Sequence, residues 1–532
     1  MRTCPRDVIT AAVVAIGATL TPQSPAHDIV ITNARVVDGT GASWYRGEVA
    51  VKGDTIVEVA AKISGPSART IDAGGQVVSP GFIDTHTHAR RGIFEVPTAD
   101  NYVRQGVTTL IEGPDGGSPV PLAPFLEKLA ALHKSVNIGS FIGQGSIRSA
   151  VIGDADRKAT PEEIQNMQAM VAQGMKDGAF GMSTGLFYVP GAFTPTSEVV
   201  ELAKVVARYG GIHTSHQRDD ASKVTDSVRE TIAIGEGGGL PTQVTHHKVV
   251  GKANWGRSTE TLKLIDEARA RGVDVTSDQY PYTASSTSVG SALLPAWALE
   301  GGREQMAARL KDPPTRAKIK SGVVMMIRDE RGGGDPTNVQ LASCGFDAAL
   351  AGKTLADVTR ARGMEPTLEN AAEATLWIVE QGGCQGVFHA MIEADVARIM
   401  LHPTTMIASD GEVPIFGRAN PHPRSYGTFA RVLAVYVRQK GALTLEDAVR
   451  KMTSFPAARM RIMDRGILRA GMKADITIFD PATVRDTATF EKPHAYAVGF
   501  SHVIVNGQVV YENGAMTAAR PGRVLYGSGK GN

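Results

Sequence analysis

At 532 residues the chain is longer than one hydrophobic core usually organises, so two domains, or a large barrel with an appendage, are expected. Lys plus Arg total 56 against 54 Asp plus Glu, with no dense basic run, so charge gives no reason to expect a nucleic-acid partner and points to a small molecule. Three cysteines, Cys4, Cys344 and Cys384, are too few and scattered for a disulfide framework or a thiolate zinc site; any metal must use histidine and carboxylate.

The first 26 residues set Arg2 and Arg6 ahead of an apolar stretch, Val8 to Leu20, and small residues up to Ala26. That is the layout of a secretory signal, too short to span a membrane, so a periplasmic or secreted protein is expected, or a cytoplasmic one with an uncleaved extension. No later segment looks transmembrane, and the oligomeric state is open. Residues 27–79 alternate apolar and polar side chains between Gly and Asp turns, as strands do. The same texture returns over 466–532, with Asn506-Gly507 as a hairpin signal. The two ends are expected to pack together as one small β-sandwich.

Between them, over 80–465, helix and short buried strand recur about every 30 residues, the period of a parallel barrel. One helix opens on Thr160, Pro161 and Glu163 at capping-box spacing; others precede "IHTSH", "PTQVTHH" and "VDVTSDQY". The expected fold is α/β: a (β/α)8 TIM-like barrel with a sandwich built from both chain ends. Residues of about 285–345 break the rhythm and are expected to form an inserted lid. Barrel chemistry sits at the C-terminal strand ends, and His86, His88, His216, His246, Asp278 and Asp410 all fall at or near such ends. In "SPGFIDTHTHA", His86 and His88 are spaced to share one face of a strand.

The pieces "PGFIDTHTH", "QGVTT", "GGIHTSHQRDD", "DQYPYTA", "MIASDG", "PHPRSYGTFARVL" and "GMKADITIFDPATV" run in order over residues of about 28 to 525. In them the chain resembles the amidohydrolase superfamily, and within it the D-aminoacylase (N-acyl-D-amino-acid deacylase) group. The resemblance implies zinc, one or two ions, and hydrolysis of the amide of an N-acyl-D-amino acid. It implies His86 and His88 as first-strand ligands, His216 and His246 as fifth- and sixth-strand ligands, and Asp410 as the base that takes a proton from water and passes it to the leaving nitrogen. His247 is then a neighbour, His213 a packed strand histidine, and Asp84 an orienting carboxylate.

The sequence leaves the family pattern at one point. Where relatives carry a ligating cysteine after "QGVTT", this chain reads "LIEGPDGG", with Asp115 at the thiolate's place. Asp115 as ligand, Glu112 as its rival, and a merely loop-shaping aspartate are the alternatives. For the substrate carboxylate the resemblance nominates Lys248, Tyr280, Ser286 and Arg424, and for the amide carbonyl Tyr188. Cyclic-amide hydrolysis is disfavoured because "GAFGMSTG" at the fourth strand offers no lysine to carboxylate; a non-catalytic metal scaffold is disfavoured because Asp410 is present. A D-residue dipeptide or another amide stays open as substrate.

Overall fold

The computed structural model describes Met1 and residues 26–531, so the expected leader lies almost wholly outside the described residues. Eight short parallel strands close a barrel: Phe82–Asp84, Val107–Glu112, Asn137–Ser140, Gly181–Gly185, Ile212–His216, Thr242–Val244, Val275–Gln279 and Thr405–Ile407. Hydrogen-bonded registers join the first three and the last five strands. Phe180 N donates to Ser140 O (2.9 Å) between the third and fourth strands, and Asp410 N to His86 O (2.9 Å) between the eighth and first. These strands are buried along their length because helices cover the sheet outside and side chains fill it inside.

The helices begin and end as their sequences dictate. Pro161–Asp177 starts from a capping box in which Thr160 Oγ1 accepts from Glu163 N (3.2 Å) and Glu163 Oε2 from Thr160 N (2.8 Å). Thr196–Arg208, Val224–Gly238 and Ser258–Ala270 each run into the next strand through a glycine turn or short loop. Among the described residues no helix is long and apolar enough to cross a membrane.

Both chain ends meet in one nine-stranded sheet, where Ile476–Phe479 pairs antiparallel with Val77–Pro80. The sheet branches at His27–Val36, whose first half pairs with Ser67–Asp72 and whose second half pairs with Val77–Pro80. The branch wraps a separate core of Ile31, Val49, Ile56, Ile476, Ile478 and Ile504. Asn506 and Gly507, both at positive φ, make the hairpin between Phe500–Val505 and Gln508–Glu512. The tail then leaves the sandwich for the barrel floor: Ile138 N donates to Arg523 O, and Leu525 N to Ile138 O, each at 2.9 Å.

Two expectations need correcting. The excursion does not end near 345: it builds a three-stranded antiparallel sheet from Ser285–Ser288, Val339–Cys344 and Cys384–Phe388, over its own apolar cluster, and returns to the barrel only after Phe388. The amphipathic helix Leu368–Glu380 has a barrel helix's periodicity, which hid its membership in the lid. Cys344 and Cys384, far apart in sequence, sit opposite each other in that sheet and form a disulfide. Spacing could not reveal a pair created by strand register.

Candidate metal centre

His86 and His88 stand just beyond the first strand rather than within it. The short parallel pairing of Thr87–His88 with Gly411–Glu412 holds them in place. Asp84 binds none of the clustered side chains; its carboxylate accepts from the backbone N–H of His86 (3.2 Å) and Ser409 (3.1 Å), tying the first strand to the loop that carries Asp410. Burial raises Asp84 to about 7 against those hydrogen bonds. Asp278 Oδ1 accepts from His246 N (2.6 Å) and lies 3.8 Å from His86 Nδ1.

The loop after the second strand carries Asp115 inward. Its path needs glycine at a contact point: a Cβ on Gly185 would lie 2.1 Å from Asp115 O. Asp115 Oδ1 lies 3.4 Å from His86 Nε2, 3.6 Å from His216 Nδ1 and 3.4 Å from His246 Nε2, while Oδ2 lies 3.3 Å from His88 Nε2. Asp410 Oδ1 faces His88 at 3.1 Å and His86 at 3.4 Å; Oδ2 faces Arg424 Nη1 at 2.6 Å. Two donor sets result, His86–His88–Asp115–Asp410 and Asp115–His216–His246, each with its ligand atoms within 4.8 Å of one another, and Asp115 belongs to both. Glu112, its rival, is elsewhere: it accepts from Arg90 N (3.0 Å) and pairs with the Arg90 guanidinium (3.2 Å). Asp115, His246 and Asp410 all adopt positive φ, a conformation uncommon for non-glycine residues.

Burial opposes charge on His86, His88, Asp115 and Asp410, yet opposite charges nearby prevail. Asp115 and Asp410 hold His86 well above the ordinary histidine range, and raise His88 too. Asp410 is pulled well below the carboxylate range, chiefly by Arg424 and then His86; Asp115 is pulled likewise by His86 and His246. His246 falls to about 3 through burial, Lys248 and His216.

The other nominated residues surround the same cavity of about 1110 Å³, which the lid strands help to wall. Tyr188 OH is within hydrogen-bond reach of Thr287 Oγ1 (3.0 Å), its ring is 4.6 Å from that of His216, and burial pushes its phenol upward, so it stays a donor. Lys248 Nζ contacts His246 Nδ1 (2.7 Å) and Asp220 Oδ2 (3.1 Å). Arg424 sits over the Tyr280 ring at 4.8 Å and donates to Ser286 O (3.3 Å). His213 is apart from the cluster, between Thr184 Oγ1 (3.0 Å) and Thr242 Oγ1 (2.8 Å), and His247 meets Thr261 Oγ1 (2.9 Å). The fourth strand carries no lysine. Asp220, Thr287, Phe187 and Arg331 also belong to the neighbourhood and were not singled out from sequence. Asp220 sits inside a quoted motif, Thr287 on the lid strand Ser285–Ser288, and Phe187 and Arg331 in loops with no periodic signal.

A barrel that gathers imidazoles from its first, fifth and sixth strands and an aspartate from its eighth has the architecture of metal-dependent amidohydrolases, and a family model described as the amidohydrolase family matches residues 347–511. A D-aminoacylase of Alcaligenes xylosoxydans xylosoxydans is 36% identical over 528 residues, covering 94% of this chain and 98% of that protein. The solved N-acyl-D-glutamate deacylase of Bordetella bronchiseptica, complexed with zinc and a phosphonate mimic of the tetrahedral intermediate, superposes with a TM-score of 0.81 at 33% identity, covering 94% and 99% of the two chains. A D-aminoacylase structure described by its binuclear metal centre, with one-metal activation and second-metal attenuation, gives 0.80 at 34% identity over 94% and 100%. The chain belongs to the D-aminoacylase family of N-acyl-D-amino-acid deacylases.

Proposed function

We propose that this protein hydrolyses the amide bond of N-acyl-D-amino acids, using zinc held at the barrel mouth. One observation carries the reading: buried imidazole and carboxylate donors of two sets converge within 4.8 Å of one another. At their meeting point His86 Nε2 and Asp115 Oδ1 are buried without a hydrogen-bond partner, which is costly unless a cation meets them. Nitrogen and carboxylate donors in this number suit zinc. Bound there, it would supply Lewis-acid polarisation and an acidified water. His86, His88, Asp115, His216 and His246 would hold it, Asp115 being common to both donor sets.

The chain's own groups divide the remaining work. Asp410 Oδ1 faces the donor cluster and takes the proton of the attacking water, returning it to the leaving nitrogen. Arg424 on Oδ2 keeps that carboxylate ionised until it is needed. Tyr188 donates to the carbonyl oxygen as charge develops there. Lys248, Tyr280, Ser286 and Arg424 hold the substrate carboxylate and fix the distance from it to the scissile amide. The likeness to deacylases of D-residues supports the stereochemical part of the reading. Export to an oxidising compartment is part of the same proposal, supported by the leader-like first 26 residues and by the Cys344–Cys384 disulfide.

The test is hydrolysis of a panel of N-acetyl-D-amino acids against their L-enantiomers by zinc-loaded protein, with released amino acid measured. Turnover of the D series that is lost on chelation and restored by zinc is expected. Equal turnover of both series, or none, rejects it.

A further inference from the structure

The lid delivers one cation into the cavity that the roles above leave unused. Arg331 is 2% exposed, lines the cavity with Lys248, Tyr188 and Tyr280, and stacks its guanidinium 4.7 Å over the Phe187 ring. Its Nε is buried with no hydrogen-bond partner. The nearest counter-charge, Asp220 Oδ2, is 3.7 Å away, beyond hydrogen-bond reach, and is already engaged by Lys248 at 3.1 Å. Four other arginines are buried among the described residues, and each has an oxygen at short range. Arg148 meets Glu198 at 2.7 Å, Arg424 meets Asp410 at 2.6 Å, Arg459 meets Asp274 at 2.8 Å and Arg465 meets Asn506 at 2.9 Å. Arg331 is the exception: like Arg424 it lines the cavity, but it has no oxygen at such range.

A guanidinium withdrawn from water without acceptors is costly, and its planar fork is shaped for a carboxylate. The Phe187 face holds its plane from one side, at a wall of the cavity that a ligand would fill. We propose that Arg331 is a substrate-binding residue supplied by the lid, holding a carboxylate of the N-acyl amino acid beside the Phe187 wall. The inference rests on the deacylase reading for the identity of that substrate. The carboxylate has two sources, the α-carboxylate that every such substrate carries and the side chain of an acidic residue.

The experiment compares the zinc-loaded wild type with Arg331→Gln and Arg331→Lys on three compounds: N-acetyl-D-leucine, N-acetyl-D-glutamate and N-acetyl-D-leucinamide, the last also as a competitive inhibitor. Binding of the two acids is followed by calorimetry alongside turnover. Arg331→Gln is expected to raise KM and Kd roughly 30- to 300-fold on a carboxylate-bearing compound, with kcat changed far less and the leucinamide unaffected. Arg331→Lys should recover part of the loss. Equal loss on both acids assigns the α-carboxylate; loss confined to the glutamate assigns the side chain. KM and Kd within twofold of wild type on both acids overturn the proposal, and so does an equal loss on the leucinamide, the mark of a residue that only shapes the wall. A wild type that binds the acids through Arg331 without hydrolysing them would sink the deacylase reading and leave the anion site standing.

Discussion

Asp115 is the residue on which the two donor sets depend together, so its removal makes the most demanding test. Its carboxylate lies 3.3 to 3.6 Å from four imidazoles. Without it, the set with His216 and His246 falls to two imidazoles, too few for a protein zinc site, while His86, His88 and Asp410 still offer three donors. Asp115→Ala is therefore expected to lose one ion outright and to weaken the other. Taking away one partner of a buried charge pair costs about 3–5 kcal/mol, which translates to a loss of roughly two to three and a half decades in affinity. Asp115→Cys keeps an anionic donor and should restore much of the metal and the activity; Asp115→Asn, with the turn's hydrogen bonds but no charge, should resemble alanine. Glu112→Ala, outside both sets and paired with Arg90, should keep its metal. Elemental stoichiometry on dialysed protein, chelator-competition titration and amide hydrolysis across the four variants give the answer. Full metal and full activity in both Asp115→Ala and Asp115→Asn would show that the aspartate only shapes the loop.

Asp410→Asn should keep fold and metal while lowering kcat by about 10²–10⁴-fold; near-normal turnover would place the base elsewhere. Because Asp115 and Asp410 hold His86 above its ordinary range in the metal-free protein, zinc must displace a proton there. Apparent affinity should thus rise with pH through neutrality, by up to tenfold per unit for each proton released, as calorimetry in buffers of different ionisation enthalpy would detect. His213 and His247, buried and held at about 3, stay neutral in the folded chain while the unfolded chain takes up protons below about 6.5. Their contribution to stability is present above about 6.5 and lost as pH falls toward 3, at ~1.4 kcal/mol per unit for each; His213→Gln should flatten the acid limb of a denaturant-midpoint profile. The disulfide closes a 40-residue separation, worth ~4 kcal/mol of loop entropy. A Cys344→Ser, Cys384→Ser double variant should therefore show an earlier lid transition by hydrogen exchange, and unchanged protection across 289–388 would count against that role.

The barrel and the histidine pairs were legible because each depends on short-range pattern: strand runs, caps and the two-residue offset at His86 and His88. Asp115 could be located only as a departure from a pattern. Nothing local distinguishes a ligating aspartate from a turn aspartate, and the choice over Glu112 emerged once the loop's path past Gly185 was visible. Arg331 and the far boundary of the lid were opaque for a different reason. The excursion folds around its own apolar cluster, so its helices carry the same amphipathic signal as barrel helices, and its single inward cation sits among glycines with no periodicity to mark it. The disulfide was hidden because register, not spacing, made the pair.

The sheet shared by the chain ends also sets a schedule for synthesis. Val77–Pro80 emerges about 400 residues before Ile476–Phe479, its partner, and at ~5–20 residues per second the wait lasts roughly 20–80 s. Through that interval the first strands have an open edge and half a core, and cannot settle into native structure alone. A nascent chain whose leading segment stays pliable until its last residues arrive is one that can still be threaded through a narrow translocation pore, or bound by a chaperone, before it commits to its shape.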